Sequence, residues 1–223
     1  MIGILVLLIA SCTSNKQDKK SKDGMTVDLQ EEEGKEKPGK NKKTDFLITI
    51  ETPFGEMKAI LYDQTPEHKE NFIKLAEDGF YDGTTFHRVI KGFMIQGGDP
   101  NSKDGNPSNN GTGGPGYTIP AEIKPELKHN RGAIAAARTQ NPEKRSSGSQ
   151  FYIVHNDKGA KSLDGQYTVF GQVIDGLEVI DKIAEQKTVG PQRSQPEEEI
   201  PMTVTVKEMK KKKIEKETGY SYE

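Results

Sequence analysis

The sequence predicts a mainly β fold, a closed eight-stranded antiparallel β-barrel capped by two α-helices. Eight short segments rich in β-branched and aromatic residues are separated by turn residues, which is typical of strands. Two segments with apolar residues at helical spacing follow the second and the seventh of these strands. Because the connections are short, a closed barrel is the natural packing for this order of elements.

The strands are predicted from residue type and from the turns that bound them. The first two form a hairpin, because the turn sequence Thr52-Pro53-Phe54-Gly55 lies between them. The fifth is rich in alanine, which favours helix, but Gly132 and Pro142 limit it to the length of a strand. The predicted strands cover residues 45–51, 56–62, two stretches within 84–99, 132–138, 149–154, 167–173 and 202–207.

The two helices are predicted from capping residues and from apolar periodicity. Thr65 is expected to be the N-cap of the first helix, with Pro66 at the first helical position and Gly79 as its stop. The second helix is expected to follow Asp175-Gly176 and to carry apolar residues at helical spacing. The charged tail, residues 210–223, is expected to fray.

Composition and charge limit the classes of function. The chain has 32 Lys and Arg against 34 Asp and Glu, a net charge of -2, which argues against a nucleic-acid partner. The single cysteine, Cys12, excludes an intrachain disulfide and a thiol metal site. The histidines lack metal-ligand spacing, and the Gly-rich loop 109–116 lacks the pattern of a phosphate-binding loop. No metal and no other cofactor is therefore predicted.

The first twelve residues, MIGILVLLIASC, predict a lipoprotein signal. The apolar run from Ile2 to Ala10 is shorter than the roughly 20 residues that span a bilayer, but it suits a signal peptide. The stretch Ile9-Ala10-Ser11-Cys12 resembles the bacterial lipobox, in which the cysteine is lipidated and becomes the N-terminus. We therefore expect a signal peptide over residues 1–11 and a lipid anchor at Cys12. The alternative is a buried first strand with an incidental cysteine.

Residues 12–44 are predicted to be a disordered, charged linker. They contain too few apolar residues to bury a core, and they would hold the next domain away from a membrane surface. Thr13 stands after the cysteine where an Asp would favour the inner membrane in the proteobacterial sorting rule, so the outer membrane is favoured. The expected location is the bacterial cell envelope, on the periplasmic side or the surface.

Five motifs, in one order along the chain, resemble the cyclophilin signature. They are FHRVIKGFMIQGGD at 86–99, NGTGG at 110–114, AAAR at 135–138, SGSQFYI at 147–153 and LDGQYTVFG at 163–171. The resemblance covers roughly residues 45–209, which we take as the domain. It implies a peptidyl-prolyl cis/trans isomerase built on an eight-stranded barrel with two capping helices.

The reaction implied by this resemblance needs neither a nucleophile nor a metal. The X-Pro amide resists rotation by about 18–20 kcal/mol, and an enzyme must favour the twisted amide over both planar forms. Arg88 would donate to the pyramidal nitrogen of the twisted amide, or hold the rotating carbonyl oxygen. A thousandfold gain requires about 4 kcal/mol, which a well-aimed cation can supply.

The resemblance also implies the residues of the site. The catalytic residues it implies are Arg88, Phe93 and Gln96. The substrate-binding residues it implies are Met94, Ala137, Arg138, Gln150, Tyr152, Leu163 and Tyr167. An apolar pocket for the proline ring is implied for Phe93, Met94, Tyr152 and Leu163. The groove for the residues that precede the proline is implied for Ala137, Arg138 and Gln150.

Residue pattern alone leaves other interpretations open. Phe93, Met94 and Leu163 could be core residues, Arg88 could hold a structural ion pair, and Gln96 could cap a strand end. Among the remaining polar residues, the ones interpreted as structural or as turn residues are His87, His155, Asp99 and Asp164.

Two places depart from the family pattern. Ser162 stands where cyclosporin-sensitive members carry tryptophan, so we predict weak cyclosporin binding. The segment 139–147 is longer than usual and carries Lys144 and Arg145 beside the groove. A bias toward acidic substrate segments is the hypothesis that follows from these two cations.

Three classes of function are compatible with these observations. The first is an active isomerase that assists folding of exported proteins, and the second a chaperone or scaffold that binds proline segments with little turnover. The third is a surface adhesin or structural lipoprotein. Arg88, Phe93 and Gln96 together favour the first. The expected partners are proline-containing polypeptides and, through Cys12, the membrane; no nucleic acid is expected, and the chain is expected to be a monomer.

Overall fold

The computed structural model of the chain describes residues 43–222. The predicted signal peptide over 1–11, the lipidation site Cys12 and nearly all of the 12–44 linker lie outside the described residues.

Eight strands form one antiparallel sheet, and all eight were expected from the sequence. They are β1 Thr44–Thr52, β2 Gly55–Leu61, β3 Arg88–Ile90, β4 Met94–Gly97, β5 Ala133–Ala136, β6 Phe151–Val154, β7 Val169–Asp175 and β8 Thr203–Lys210. Their order in the sheet is β8-β1-β2-β7-β5-β6-β4-β3. The alanine-rich β5 is a strand despite its helical propensity, because it lies between two partner strands with all four residues buried.

The two edge strands of this sheet, β3 and β8, do not pair with each other in a continuous ladder within residues 43–222. The edge of β3 is covered by another segment instead, since the Val89 N–H donates to the Ser194 carbonyl at 2.6 Å. The segments ahead of β3 and β8 meet at an isolated bridge between Thr85 and Pro201, and backbone hydrogen bonds flank it, such as the one from the Phe86 N–H to the Ile200 carbonyl at 2.9 Å. The mainly β sheet is confirmed, whereas closure of the barrel through these two strands is not observed.

Within residues 43–222, three α-helices accompany the sheet: α1 Pro66–Glu77, α2 Leu177–Ala184 and α3 Lys211–Thr218. The first two were expected, and α1 begins at Pro66 as predicted. The third was not foreseen in the charged tail; its one fully buried side chain, Ile214, packs in a small cluster with Leu47 and Met209. In the described part of the chain, no helix has the length and apolar composition needed to cross a bilayer.

The cap of α1 differs from the prediction. The Thr65 side chain makes no cap hydrogen bond and donates to the Tyr62 carbonyl instead. The free N–H groups of Glu67 and His68 donate to the carboxylate of Glu122, at 3.2 and 3.0 Å. A carboxylate that is distant in sequence therefore caps the helix in place of Thr65. Its negative charge also interacts favourably with the positive end of the helix dipole.

The main core contains the inner face of the sheet together with apolar residues of α1 and α2. An aromatic group centred on Phe72 and Phe151 forms part of it, with ring centroids 5.4 Å apart in an edge-to-face arrangement. A second, smaller apolar cluster contains Met94, Ala135 and Tyr152 and belongs to the opposite face of the same strands. This second cluster is the floor of the site described next.

Candidate active site

The candidate site lies on one face of four neighbouring strands, β3, β4, β6 and β5. Their register places Arg88 opposite Gln96, Gln96 opposite Tyr152, and Tyr152 opposite Ala135. Directly opposed residues share a face of the sheet, and the next residue along each strand points to the other face. The Arg that interrupts an otherwise apolar strand in the sequence therefore begins a row of residues that faces away from the main core.

A cavity of about 200 Å³ opens above this row. The residues that line it are Arg88, Phe93, Met94, Gln96, Ala137, Arg138, Tyr152, Leu163 and Tyr167. Nine of the ten side chains predicted for the site thus line one cavity. The tenth, Gln150, lies beside it, because the Gln96 amide donates to the Gln150 Oε1 at 3.1 Å.

A chain of hydrogen bonds fixes the guanidinium of Arg88. Its Nη1 donates to the Gln96 Oε1 at 3.2 Å, and Gln96 in turn donates to Gln150. The Gln150 amide then donates to the carbonyls of Gly113 and Gly111, at 2.8 and 3.1 Å. The Gly-rich loop therefore anchors the polar row through its backbone. Gln96 bridges two side chains, which differs from the strand-end cap considered in the sequence analysis.

The charge of Arg88 is not neutralised by a carboxylate. No acidic residue lines the cavity, and no ion pair involves Arg88 within residues 43–222, so the structural ion pair considered above is not formed. Burial lowers the pKa of its guanidinium, with an opposing effect from Tyr167, but an arginine remains charged at neutral pH. A half-buried, unpaired cation held in one position can stabilise charge on a bound molecule.

The remaining wall of the cavity is apolar. Met94 is 1% exposed and Tyr152 5% exposed, while Phe93 and Leu163 are partly buried and pack on the same cluster. The ring of Tyr167 stands edge-on to Tyr152, with centroids 5.9 Å apart. Met94 is thus both a core residue and a lining residue, which is why pattern alone left its role open.

Sequence reasoning missed a buried support beneath the cavity. His129 Nε2 lies 3.0 Å from the hydroxyl of Tyr152, and its Nδ1 lies 2.8 Å from the Asp164 carboxylate. Burial lowers the pKa of His129, against the opposing effect of Asp164. The ring is therefore neutral at pH 7, with Nδ1–H donating to Asp164 and Nε2 accepting the Tyr152 O–H. Because Asp164 directly follows Leu163, the hydrogen bonds from Tyr152 through His129 to Asp164 connect two residues that line the cavity, Tyr152 and Leu163.

A signal for this support exists in the sequence, although it names no partner. Tyr152 lies in a four-residue strand that is buried throughout, and a buried tyrosine hydroxyl needs a hydrogen-bond partner. Asp164 was interpreted as a turn residue, and the structure adds this second role. His155 is structural in the sense expected: its Nδ1 accepts from the Gly92 N–H at 2.9 Å, in the turn between β3 and β4.

Comparison with known proteins points to one family. The model of the family described as "Cyclophilin type peptidyl-prolyl cis-trans isomerase/CLD" matches residues 47–207. The peptidyl-prolyl cis-trans isomerase CYP18-1 of Arabidopsis thaliana is 43% identical over 146 residues, which are 65% of this chain and 85% of the relative. A peptidyl-prolyl cis-trans isomerase of Helicobacter pylori is 41% identical over 139 residues, 60% of this chain and 78% of the relative.

A solved structure agrees with these relatives. The crystal structure of a Cryptosporidium parvum cyclophilin type peptidyl-prolyl cis-trans isomerase, determined in the presence of the dipeptide Ala-Pro, superimposes with a TM-score of 0.63 at 33% identity. The match covers 72% of this chain and 98% of that chain.

Proposed function

The chain belongs to the cyclophilin-type peptidyl-prolyl cis-trans isomerase family, and we propose that the cavity beside Arg88 is where it accelerates rotation about X-Pro bonds. The activity itself is that of the family: the chain is a peptidyl-prolyl cis-trans isomerase. The observation that carries the assignment of the site is a positioned cation, without an ion-pair partner among residues 43–222, at the side of a small cavity with an apolar wall.

In this proposal the apolar wall binds the proline ring. Phe93, Met94 and Leu163 hold the pyrrolidine by contact area and exclude water from one side of the amide. The bound ring is thereby fixed while the acyl part on the other side of the C–N bond rotates. Binding of this kind favours neither planar form, so it leaves room for the polar groups to select the twisted amide.

The polar row supplies the selection. A twisted amide loses resonance, its nitrogen becomes pyramidal, and its carbonyl oxygen changes direction. Arg88 donates to the nitrogen or holds the carbonyl oxygen, and Gln96 keeps the guanidinium in place through their hydrogen bond. Since the hydrogen-bond chain is already formed without a substrate, little reorganisation is needed when the amide twists.

An isomerisation assay on an Ala-Pro peptide with the full chain tests this assignment. We expect Arg88→Ala to lower kcat/KM by about a hundredfold or more, as removal of one transition-state donor does in other enzymes. Lys212→Gln on α3 is the matched control, since it removes a cation from an exposed position that does not line the cavity. Equal rates for wild type and Arg88→Ala would show that Arg88 has no catalytic role.

A second candidate function is a proline-segment-binding chaperone or scaffold with little turnover. The apolar cavity supports it, because the same wall would bind a proline segment without any catalytic step. An isomerase loses turnover on Arg88→Ala while keeping much of its peptide affinity, whereas a binding module shows little turnover already in the wild type. Measuring peptide affinity and turnover for both the wild type and Arg88→Ala separates the two candidates.

We also propose that the protein is lipid-anchored in the bacterial cell envelope and assists folding of exported proteins as a monomer. The lipobox-like stretch ending at Cys12 and the charged residues after it support this proposal. Mass spectrometry of the mature N-terminus tests it, with Cys12→Ala as the control. An unmodified N-terminus that retains residues 1–11 would contradict the anchor, and sedimentation of the full chain tests the monomer.

The weak cyclosporin binding predicted from the sequence remains a prediction. Ser162 is exposed in the short 3-10 helix Lys161–Leu163, directly before the cavity residue Leu163. Nanomolar inhibition of the isomerase by cyclosporin would contradict it.

A further inference from the structure

The cavity carries two cations and no carboxylate. Arg88 and Arg138 both line it, and the other seven lining residues are uncharged. Neither arginine forms an ion pair with another residue between 43 and 222. Arg88 is assigned above to the amide itself. The charge of Arg138 has no such assignment, although the family resemblance implies that this residue lies in the groove for the substrate residues that precede the proline.

Arg138 is held at the edge of the cavity by aromatic and backbone contacts. Its guanidinium lies over the ring of Tyr167, 4.6 Å from the centroid. Its Nε donates to the Gln166 carbonyl and its Nη1 to the Thr139 carbonyl, both at 3.3 Å. These neutral partners orient the side chain but leave its positive charge uncompensated. A planar guanidinium held in this way is suited to a carboxylate.

A second, partly exposed cation is brought to the same edge by the loop that follows. Lys144 donates through Nζ to the Gly165 carbonyl at 3.0 Å, next to the carbonyl that Arg138 uses. Lys144 has a positive φ of 53°, which a lysine adopts at a cost. The loop is held in this conformation by Asn141, whose side chain accepts from the Arg145 N–H at 2.7 Å and donates to the Thr139 carbonyl at 2.9 Å.

The other charged groups nearby do not cancel this pair. Arg145 is directed elsewhere, since its guanidinium donates to the side chain and the carbonyl of Thr118, at 2.7 and 2.8 Å. The Asp164 carboxylate keeps its charge, but it accepts hydrogen bonds from the backbone and the ring of His129 and forms no ion pair with Arg138 or Lys144. Glu143 is exposed and forms no ion pair within residues 43–222. The sequence led us to expect that both Lys144 and Arg145 act on the substrate. In the structure Lys144 lies at the edge of the cavity, whereas Arg145 is bound to Thr118.

We propose that Arg138 and Lys144 make the site selective for substrates with an acidic residue in the two positions before the proline. This inference rests on the proposed function, because it assumes that the cavity binds the proline. The segment N-terminal to the proline is the part expected at Arg138, since the family resemblance implies that Arg138 lies in the groove for the residues that precede the proline. A glutamate or aspartate there meets a fixed guanidinium with no competing carboxylate.

The expected selectivity is moderate because the edge of the cavity is open to solvent. An exposed ion pair changes an equilibrium by a factor of up to about five. We therefore expect kcat/KM for a Glu-containing peptide to exceed that of its Gln counterpart about three- to fivefold. The excess over a Lys counterpart should be about tenfold, because the lysine is repelled as well.

The experiment compares peptides of the forms Ala-X-Pro-Phe and X-Ala-Pro-Phe, with X as Glu, Gln or Lys. Catalysed exchange is measured by NMR with the full chain, and each rate is divided by the uncatalysed rate of the same peptide. This removes the effect of X on the intrinsic barrier. No protease is used, so the preference of a coupling enzyme does not enter the result.

Three variants identify the source of the preference. Arg138→Gln should reduce the Glu-to-Lys ratio to about threefold or less, and the double variant with Lys144→Gln should bring it close to one. The control Lys212→Gln makes the same change in net charge on α3 and should leave the ratio unchanged. Raising the salt from about 0.05 M to about 0.5 M should lower the wild-type ratio through screening.

The outcomes separate this inference from the proposed function. Turnover of all peptides with equal kcat/KM would overturn the acidic preference while leaving the isomerase site intact. A preference that survives the double variant would overturn the assignment to Arg138 and Lys144. Absence of turnover for every peptide would count against the proposed site itself, and the inference would be overturned with it.

Discussion

The two faces of the strands β3, β4, β6 and β5 differ although they are made from alternating residues of the same segments. The inner face carries Val89, Ile95, Ile153 and Ile134, each at most 1% exposed within the main core. The outer face carries Arg88, Gln96, Tyr152 and Ala135. The side chains of the inner row are held in position by close packing, because their neighbours in the core are apolar. The outer row is fixed by hydrogen bonds.

The difference explains how a small sheet can be stable and still present a charged group to a substrate. The apolar area that the inner row buries stabilises the strands, so the outer row need not contribute much packing. Its polar residues are instead positioned by one another and by the backbone of the Gly-rich loop. Substitutions on the inner row should therefore change stability, and those of Arg88 and Gln96 on the outer row should change turnover.

The largest effect is expected on the inner row. Ile153→Ala should lower the free energy of unfolding by about 3–4 kcal/mol, since Ile153 is fully buried and the deletion leaves a cavity. Urea unfolding monitored by circular dichroism measures this loss. Ile153→Val is the conservative control and should cost about 1 kcal/mol. A loss below about 1 kcal/mol for the alanine variant would show that the inner face tolerates loose packing.

The second prediction concerns the outer row and should show the opposite pattern. Arg88→Lys keeps the charge but loses the planar fork that holds Gln96 and faces the cavity at once. We expect kcat/KM to fall by about a hundredfold, which corresponds to about 2.7 kcal/mol, with little change in unfolding free energy. Kinetics and urea unfolding on the same sample decide the matter. A lysine variant with nearly full activity would mean that charge alone suffices.

The two faces of the sheet could be predicted from the sequence, whereas the hydrogen bonds that support the sheet and the helices could not. Alternation of residues and the turns between them were enough to predict the strands, whereas the ten site residues were implied by the family resemblance that the five motifs carry, and nine of them line one cavity. These features are local, because each depends on residues a few positions apart. The row across β3, β4 and β6 then follows from antiparallel pairing.

The parts that were not predicted depend on contacts between distant residues. The α1 cap comes from Glu122, 54 residues beyond His68. The support of Tyr152 comes from His129, 23 residues earlier in the chain. The helix α3 forms around Ile214, and no pattern in a charged tail reveals that this isoleucine has a cluster to join. In each case a local rule was satisfied by a partner that local reasoning cannot see.

The third prediction uses pH to test the buried support that His129 gives to the outer row. The folded pKa of His129 is lowered by burial, so the unfolded chain binds a proton that the folded chain does not between that pKa and about 6.5. Stability is therefore complete above about pH 6.5 and falls as the pH drops below it. Burial is also the main cause of the lowered pKa of His87, so this residue contributes to the pH dependence of stability in the same direction. Urea unfolding between about pH 7 and pH 5 should show the decline.

The control for this pH dependence is His129→Gln. The variant should be less stable than wild type at pH 7, because a neutral amide only partly replaces the bonds to Asp164 and Tyr152. Its decline toward pH 5 should be shallower, with the residual slope assigned to His87. An unchanged slope in the variant would show that His129 does not titrate in the folded protein as its burial implies.

The smallest effect is expected from Tyr152→Phe, which removes one oxygen atom from the outer row, where Tyr152 meets the buried His129. The ring that lines the cavity remains, but the buried Nε2 of His129 loses the O–H that it accepts at 3.0 Å. An unsatisfied buried acceptor costs about 1–3 kcal/mol, and the loss lies at the low end if the ring can shift. We expect about 1 kcal/mol lower stability and at most about a threefold fall in kcat/KM. The double variant Tyr152→Phe with His129→Gln should lose less stability than the sum of the losses in the two single variants, because both substitutions break the same hydrogen bond. Full additivity would mean that His129 and Tyr152 act independently, and that the cavity wall is held by packing alone.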